Sequence, residues 1–336
     1  MSSDRTAATP HAPEARSAAV RISAPARLHL GFLDLNGSLG RKFGSLGLAI
    51  DQPATELTLE RCEADVVDGP EQARAQRALE RFKALLKLDR SYRLSVSKTI
   101  PAHAGLGSGT QLAMAVGGAL AALEGLETEM RSLGEMQNRG GRSAIGMAAF
   151  ESGGFVVDGG RGTRDRPPPV VARAAFPSAW RVLLVLDPRN VGVHGRREVE
   201  AFENLEPMRE DVSAELCRTT LMKLLPALAE ADIEAFGEAV SEVQRINGQY
   251  FASEQGGGIW SSPEVAGLVQ QMALLGAVGI GQSSWGPTGF AFVPSSAKAR
   301  EIIAALDAEA KDKGLSLVIA RGRNHGAKVE NLEKIV

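Results

Sequence analysis

Residues 101–111, PAHAGLGSGTQ, have the glycine-rich composition of a loop that binds phosphate. Their alternating glycines let the backbone approach a ligand closely. The segment is expected to join a strand to a helix, whose free N–H groups and positive dipole end would favour an anion in the same space. The predicted phosphate-binding residues here are Gly105, Gly107, Ser108, Gly109, Thr110 and Gln111. The alternative is an ordinary turn in which Ser108 caps the helix, and the Gly-Lys-Ser/Thr of a Walker A loop is absent.

The elements around this loop are predicted to alternate between strand and helix. Apolar and polar residues alternate in residues 54–60 and 92–100, a pattern typical of half-buried strands. Residues 71–88 place Leu79 and Phe82 on one helical face. The other predicted elements are strands at 20–33, 155–158, 181–186, 289–293 and 315–319, helices at 111–123, 144–151 and 297–313, and a mostly helical stretch at 197–276.

The predicted fold class is α+β, with two domains. A length of 336 residues allows about two domains, and three consecutive prolines at 167–169 are the expected boundary. Residues 1–19, rich in Ala, Ser and Pro, are interpreted as a disordered tail. Residues 20–166 are then an N-terminal domain with the phosphate loop, and residues 170–336 are a C-terminal domain that ends in a β-α-β unit.

The composition excludes several classes of protein. A net charge of −2 and an aromatic content of 5% argue against binding to nucleic acid or to an anionic membrane surface. No apolar run approaches 18 residues, so no transmembrane helix is expected. The two cysteines, Cys62 and Cys217, lack the spacing of a zinc site and are expected to be reduced and buried. We therefore expect a cytoplasmic protein.

Three segments together resemble the motifs of the GHMP small-molecule kinase superfamily, in order and spacing: residues 25–31 (PARLHLG), the loop at 101–111, and residues 281–290 (GQSSWGPTGF). The kinases usually carry Gly-Leu-Gly-Ser-Ser-Ala in the middle motif, from which this loop departs. Residues 34–50 and 141–160 extend the resemblance to one branch, the β-ribofuranosylaminobenzene 5′-phosphate synthases. The resemblance implies a GHMP-kinase-like two-domain fold.

This resemblance also implies a reaction. The synthases are pentosyltransferases of methanopterin biosynthesis, which join 5-phosphoribosyl 1-pyrophosphate (PRPP) to a para-substituted benzoate with loss of carbon dioxide and pyrophosphate. The benzoate could be 4-hydroxybenzoate or 4-aminobenzoate. Mg²⁺ would neutralise the leaving pyrophosphate, and the expected ligands are Asp34, Glu151 and Asp158, each of which lies beside glycines. The alternative for each acid is a solvated or capping carboxylate.

A base near a 4-hydroxyl group would help to remove its proton. Among five histidines, His29 and His194 are the predicted bases, although His29 could also be an ordinary inward-facing strand histidine. Arg27 is the third predicted catalytic residue, and both Arg27 and Arg142 are expected to bind phosphate, because arginine binds it through paired hydrogen bonds. A tight arginine contact to the benzoate carboxylate would instead oppose decarboxylation. The carboxylate is expected to meet weaker donors, Ser283 and Ser284, with Trp285 packed on the ring or simply part of the core.

Two other functions use the same features. An ATP-dependent small-molecule kinase would have the same fold and the same phosphate loop. A non-catalytic sensor of a phosphoribosyl ligand would keep the loop but would not need the histidines and acids of the motif segments. A homodimer is expected by default.

Overall fold

The structure is a computed structural model that describes residues 18–127, 142–163, 166–190, 192 and 195–333. It divides the β-strands between two sheets. The strands are β1 (Ala19–Asp34), β2 (Phe43–Cys62), β3 (Val66–Asp68), β4 (Ser91–Lys98), β5 (Phe155–Asp158), β6 (Val170–Ala174), β7 (Arg181–Leu186), β8 (Val278–Gln282), β9 (Gly289–Val293), β10 (Ser316–Ala320) and β11 (Lys328–Leu332).

The helices cover the faces and ends of these sheets. They are α1 (Gln72–Leu86), α2 (Ser108–Glu124), α3 (Ile145–Glu151), α4 (Arg196–Asn204), α5 (Glu210–Thr219), α6 (Leu225–Glu230), α7 (Ile233–Phe251), α8 (Pro263–Leu274) and α9 (Ser296–Asp312). A π-helical turn, Thr220–Leu224, joins α5 to α6, and a 3₁₀ turn, Ala252–Gln255, follows α7.

The first sheet is built on β1 and β2, two long antiparallel strands. Its strand order is β11-β1-β2-β4-β3, with β5 paired to β2 and β6 paired to β5. Pro25 lies within β1 without ending it, and the register shifts between Pro25 and Ala26, because a bulge accommodates the missing N–H group. A second register shift follows His29. The strand that carries Arg27 and His29 is therefore continuous but bent where it meets the site.

Helices α1 and α2 pack on one face of this sheet. Gly117 of α2 lies against the ring of Phe82 of α1, and a Cβ atom at Gly117 would lie 2.6 Å from that ring. The close contact holds the two helices at a fixed distance. The N-terminus of α2, where the glycine-rich loop ends, is thereby held beside the first turns of α1.

The second sheet is antiparallel, with strand order β10-β7-β9-β8. Helices α8 and α9 pack on it through Val265, Leu268 and Ile302. Helix α7 lies between the sheets, where Phe236 and Val240 share a buried cluster with Leu28 of β1 and Phe292 of β9. The two halves of the chain are thus joined by one continuous core.

The expected boundary at residues 167–169 does not separate the two sheets. β6 and β11 follow those prolines in sequence, yet both belong to the first sheet. The last strand, β11, returns to the first sheet, where it pairs with residues 19–23 of β1. Each predicted strand and helix has a counterpart in the structure, which also contains four strands that were not predicted, β3, β6, β8 and β11.

Both cysteines are free, but neither is buried as expected: Cys62 is half-buried and Cys217 is exposed. Cys217 directly follows Leu216, one of the inward-facing residues of α5. Because a helix turns about 100° per residue, Cys217 lies off that inward face. Among the described helices, none has both the length and the apolar composition needed to span a lipid bilayer.

Candidate active site

The three glycine-containing segments of the sequence meet at one place between the sheets. The backbone N–H of His29 donates to the hydroxyl of Ser283 at 3.0 Å. That hydroxyl donates in turn to the carbonyl oxygen of Gly105 at 2.7 Å. The N–H of Ser284 donates to the carbonyl oxygen of His29 at 3.2 Å. Motifs that are far apart in sequence are therefore joined through backbone groups.

Two glycines are required by this contact between backbones, apart from any ligand. Gly105 has φ of +79°, and a Cβ atom there would lie 2.1 Å from the carbonyl oxygen of Ser283. A Cβ atom at Gly286 would lie 2.4 Å from the backbone of Ala104. The hydroxyl of Thr288 secures the same contact by donating to the carbonyl oxygen of Ala104 at 2.7 Å.

The N-terminus of α2 faces the space that these segments enclose. The helix begins at Ser108, three residues earlier than expected, and its N-cap is Gly107 with φ of +82° rather than Ser108. Gly107 has no side chain with which to cap this end. Thr110 and Gln111 already donate their amide groups to the carbonyl oxygen of Gly107. The amides of the first two helical residues have no partner within the helix and so remain for an anion.

A cavity of about 430 Å³ lies against this helix end, and we call it the loop cavity. The guanidinium of Arg27 lies at its wall, where Nη1 donates to the carbonyl oxygen of Gly105. Burial lowers the pKa of Arg27 to about 10, an effect that Glu198 partly opposes, and the group stays charged near neutral pH. The lining residues include Arg27, Arg74, Gly105, Gly107, Ser108, Gly109, Thr110, Glu198, Ser284 and Trp285.

Two of the predicted phosphate-binding residues do not line the loop cavity. Gln111 is buried, and its Nε2 donates to the carbonyl oxygen of Gly146 at 2.7 Å, which ties α2 to α3. Arg142 makes an ion pair with Glu198 at 2.8 Å and lies over the ring of Phe202, 4.9 Å from its centre. An anion in the loop cavity would have to compete with Glu198 for Arg142.

A second cavity, of about 290 Å³, adjoins the loop cavity, and we call it the aromatic cavity. Ser284 and Trp285 line both cavities. The ring of Trp285 packs on Phe251 with 4.5 Å between centroids. The other lining residues include His29, Phe32, Gln244, Arg245, Asn247, Gln255, Ile259, Trp260, Ile280 and Gln282. This second space suits a flat, mostly apolar ligand, because aromatic walls and neutral amides dominate its lining.

His29 lines the aromatic cavity. Burial, followed by the charges of Arg27 and Arg142, lowers the pKa of its imidazole to about 3. The imidazole is therefore neutral near pH 7. Its Nε2 atom and the Nε1 atom of Trp285 are buried without hydrogen-bond partners among the described residues. Because buried polar atoms are normally paired, both atoms are available to a ligand.

The predicted substrate-binding serines have different roles in the structure. The hydroxyl of Ser283 is fully buried and occupied by His29 and Gly105, so it is a structural link rather than a substrate donor. Ser284 lies in the left-handed region, with φ of +57°, and lines both cavities. His194, the other predicted base, lies outside the described residues.

The three predicted metal ligands do not line the loop cavity. Asp158 is fully buried and accepts hydrogen bonds from the amides of Ala144 and Gly160 and from the hydroxyl of Ser143. Burial raises its pKa, and these bonds act in the opposite direction.

Asp34 accepts bonds from the amides of Asn36 and Gly37, as in a turn, and Glu151 is exposed at the end of α3. Among the described residues, no three His, Cys, Asp or Glu side chains are grouped so as to hold a metal, and Glu198 is the carboxylate that lines the loop cavity. It comes from α4, where no local motif marks it.

The sequence matches the models of two families, the GHMP kinases N terminal domain over residues 73–154 and the GHMP kinases C terminal over residues 224–312. It is 34% identical over 328 residues to the β-ribofuranosylphenol 5′-phosphate synthase of Methanothermobacter thermautotrophicus, covering 91% of this chain and 97% of that protein. It is 35% identical over 325 residues to the synthase of the same name from Archaeoglobus fulgidus, covering 93% and 99%.

Solved structures give the same fold. A homoserine kinase from Cytophaga hutchinsonii matches with a TM-score of 0.64 and 17% identity, covering 94% of this chain and 99% of that one. The mevalonate diphosphate decarboxylase from Staphylococcus aureus matches with a TM-score of 0.64 and 15% identity, covering 93% and 98%. The predicted fold class and the prediction of an enzyme are confirmed. The chain belongs to the β-ribofuranosylphenol 5′-phosphate synthase family, built on the GHMP kinase fold.

Proposed function

We propose that this enzyme joins PRPP to 4-hydroxybenzoate and releases pyrophosphate and carbon dioxide. The observation that supports the proposal is the pair of adjoining cavities, which share Ser284 and Trp285. The loop cavity has features that suit an anion, and the aromatic cavity has features that suit an aromatic ring. The names of the relatives specify a phenol, which favours 4-hydroxybenzoate over 4-aminobenzoate. The product is a C-riboside 5′-phosphate, and the pathway would be that of methanopterin.

The loop cavity would take the pyrophosphate of PRPP. The free amides of Ser108 and Gly109 and the positive end of α2 stabilise negative charge as it develops on the leaving group. Arg27 adds a full charge from the cavity wall.

Magnesium fits this site as an ion carried by the substrate phosphates rather than by a protein cage. Mg²⁺ commonly keeps several waters and takes one or two carboxylates. Glu198 and the hydroxyl of Thr110 line the cavity and would complete its coordination. When bound, it would supply positive charge that helps pyrophosphate to leave.

The aromatic cavity would take the benzoate. Arg245, the arginine among the described residues of its lining, is already paired with both carboxylate oxygens of Glu242, at 2.9 Å and 2.6 Å. The substrate carboxylate would then meet neutral amides such as Gln244 and Gln282. A weakly held carboxylate is easier to lose as carbon dioxide, because the enzyme does not stabilise the reactant relative to the neutral product.

The proposed chemistry balances without a further reagent. The bond from the anomeric carbon to pyrophosphate breaks as the carboxyl-bearing ring carbon attacks that anomeric carbon. Carbon dioxide then leaves, and its bonding electron pair restores the aromatic ring. We propose that His29 accepts a hydrogen bond from the 4-hydroxyl group and does not take its proton. A pKa of about 3 makes the imidazole a weak base.

A direct assay tests the function. Purified protein is incubated with PRPP, Mg²⁺ and carboxyl-labelled 4-hydroxybenzoate, and released carbon dioxide, pyrophosphate and the C-riboside are measured together. Equal amounts of the three products are expected. Parallel reactions with 4-aminobenzoate, and with ATP and small alcohols, test the other benzoate and the kinase alternative. Phosphorylation of an alcohol without release of carbon dioxide would overturn the proposal.

A further inference from the structure

The second register shift in β1 comes directly after His29. Two consecutive residues of β2 lie opposite His29 and Gly31, so Leu30, between them, has no opposite residue in that strand. Such an extra residue is a β-bulge, a feature that often redirects a side chain next to an active site. The groups that hold this bulge therefore bear on where the imidazole of His29 lies.

Helix α7 supplies hydrogen-bond partners on both sides of Gly31. The side chain of Asn247 pairs with the backbone of Phe32 as a residue of a neighbouring strand would. Its Oδ1 accepts from the N–H of Phe32 at 2.9 Å, and its Nδ2 donates to the carbonyl oxygen of Phe32 at 3.1 Å. Gln244, one turn earlier in α7, donates from Nε2 to the carbonyl oxygen of Leu30 at 2.7 Å.

Gly31 allows the helix to come this close to the strand. It has φ of +130°, and a Cβ atom there would lie 2.9 Å from Cγ1 of Val243 and 3.0 Å from Nδ2 of Asn247. The next residue, Phe32, packs against His29 with 4.6 Å between ring centroids. The place of the imidazole therefore depends on the contact between Asn247 and the backbone of Phe32.

The amide group of Asn247 has no N–H left for a ligand. Its Nδ2 also donates to the carbonyl oxygen of Val243 at 3.0 Å, and an amide nitrogen of this kind has two hydrogens to donate. The residue is buried, with 5% of its surface exposed. Although Asn247 belongs to the lining of the aromatic cavity, its amide nitrogen is committed to the backbone of the protein.

We infer that Asn247 is a positioning residue, which holds the bulge of β1 so that His29 meets the 4-hydroxyl group of the ring. This inference rests on the proposed function, in which His29 accepts a hydrogen bond from that group. A displaced imidazole would lose the hydrogen bond, while the apolar walls of the aromatic cavity would still hold the ring. Loss of the Asn247 side chain should therefore remove the preference for a hydroxylated ring.

The chain offers a matched control for this contact. Asn324 pairs with the backbone of Phe176 in the same way: its Oδ1 accepts from the N–H at 2.7 Å, and its Nδ2 donates to the carbonyl oxygen at 2.9 Å. Asn324 is not among the described residues that line the loop cavity or the aromatic cavity. Asn324→Ala therefore removes the same kind of contact away from the ligand.

Binding of 4-hydroxybenzoate and of unsubstituted benzoate tests the inference. Titration calorimetry gives the two dissociation constants for the wild type, Asn247→Ala and Asn324→Ala, and their ratio reports the contact to the hydroxyl group. The wild type should prefer 4-hydroxybenzoate by about tenfold, as one buried hydrogen bond predicts. Asn247→Ala should lower this preference to about twofold, and Asn324→Ala should keep it.

A second variant serves if Asn247→Ala does not fold, which thermal melting shows. The hydroxyl group in Asn247→Ser can bond to the carbonyl oxygen of Val243 one turn earlier in α7, but it is too short to pair with both backbone groups of Phe32. Asn247→Ser should therefore show the same low preference. Equal weakening of both ligands, or an unchanged ratio, would overturn the inference, as would a wild type without the preference.

A double-mutant cycle tests whether Asn247 acts through His29. His29→Leu should lower the preference by itself, because the side chain can no longer accept a hydrogen bond. Adding Asn247→Ala to His29→Leu should lower it no further, since the effects of two residues that serve one contact are not additive. Effects that multiply would show that Asn247 acts independently of His29, and would overturn the inference.

The kinetics separate this inference from the proposed function. Asn247→Ala should raise the KM for 4-hydroxybenzoate by about fivefold and change that for PRPP by less than about twofold. A wild type that makes the C-riboside, with an Asn247→Ala variant that keeps the wild-type binding ratio, would refute the inference alone. A wild type that makes no C-riboside from PRPP would refute the function, and the binding ratios, which need no turnover, would still decide the role of Asn247.

Discussion

The hydroxyl of Ser283 donates to the carbonyl oxygen of Gly105 across 178 residues of sequence. The same hydroxyl accepts from the backbone of His29, so one oxygen atom joins the three motifs of the site. This link explains why the glycine-rich loop keeps a fixed position relative to the strand that bears Arg27. It also makes Ser283 a residue whose loss affects both stability and binding.

Ser283→Ala should lower the free energy of unfolding by about 1–3 kcal/mol, because the buried N–H of His29 is left without a partner. The KM for PRPP should rise as the loop loses its anchor. Urea denaturation and steady-state kinetics measure the two effects. Ser38→Ala is the control, since Ser38 is exposed on a loop outside the site. An unchanged stability would mean that the link is dispensable.

Gly107→Val should reduce PRPP binding by at least about tenfold, since the new side chain meets Arg27 and fills the approach to the helix end. A Cβ atom at Gly107 would lie 3.0 Å from Cγ of Arg27. Gly125→Val is a matched control at the other end of α2, with φ of +64° and nothing within 4 Å of its Cβ position. Both variants carry the same kind of backbone strain, so calorimetry should find weakened binding in the first alone.

His29 should make the protein less stable as the pH falls. Its pKa is about 3 in the folded protein and near 6.5 when unfolded, so the unfolded chain binds more protons between these values. Stability is fully present above pH 6.5 and falls by up to about 1.4 kcal/mol for each pH unit below it. Urea denaturation at pH 7, 6 and 5 should give a shallower pH dependence for His29→Gln than for the wild type. His325→Gln, at an exposed histidine, should keep the wild-type slope.

Magnesium dependence should involve Glu198 and not Asp158. An excess of EDTA should abolish turnover while leaving the unfolding curve in place, because no protein cage for a metal is present among the described residues. Glu198→Gln should raise the Mg²⁺ concentration needed for half-maximal activity at saturating PRPP. Asp158→Asn should instead lower stability by about 1–3 kcal/mol, through its buried hydrogen bonds, with no change in that concentration. A shifted magnesium requirement in Asp158→Asn would restore Asp158 as a ligand.

The ring substituent should decide reactivity. Benzoate without a 4-hydroxyl group should bind in the aromatic cavity yet fail to react, since its ring carbon lacks the electron donation that stabilises the cationic intermediate. A loss of several kcal/mol at the transition state amounts to many powers of ten in rate. Competition assays measure its binding and released carbon dioxide measures its turnover. Rapid turnover of unsubstituted benzoate would contradict the mechanism.

Local sequence patterns predicted most of the elements and the glycine-rich junction between a strand and a helix, because their causes are local. Alternation along a strand and glycines at a strand-to-helix junction depend on neighbouring residues alone. The start of α2 was misplaced by three residues, since its cap is a glycine with positive φ rather than the serine beside it. That shift places Gln111 a full turn inside the helix, where its side chain faces α3 instead of a ligand.

The walls of the site could not be predicted in the same way. Glu198 and Phe251 come from α4 and α7, and only the tertiary fold brings these helices to the motifs. Ser283 was predicted to bind substrate because a sequence does not reveal that a hydroxyl is already occupied by a distant carbonyl group. The pairing of β11 with β1 was not predicted for the same reason, because strands that pair across a long stretch of sequence leave no local signal.

Arg27 and His29 lie two positions apart on β1, and therefore on the same face of the strand. One lines the loop cavity and the other lines the aromatic cavity, and the charge of Arg27 disfavours a proton on His29. An anion that neutralises Arg27 would raise the proton affinity of His29, and the more basic imidazole would accept a stronger hydrogen bond from a donor in the aromatic cavity. Strand β1 would thus couple the two proposed substrates energetically, so that occupancy of the loop cavity strengthens binding in the aromatic cavity.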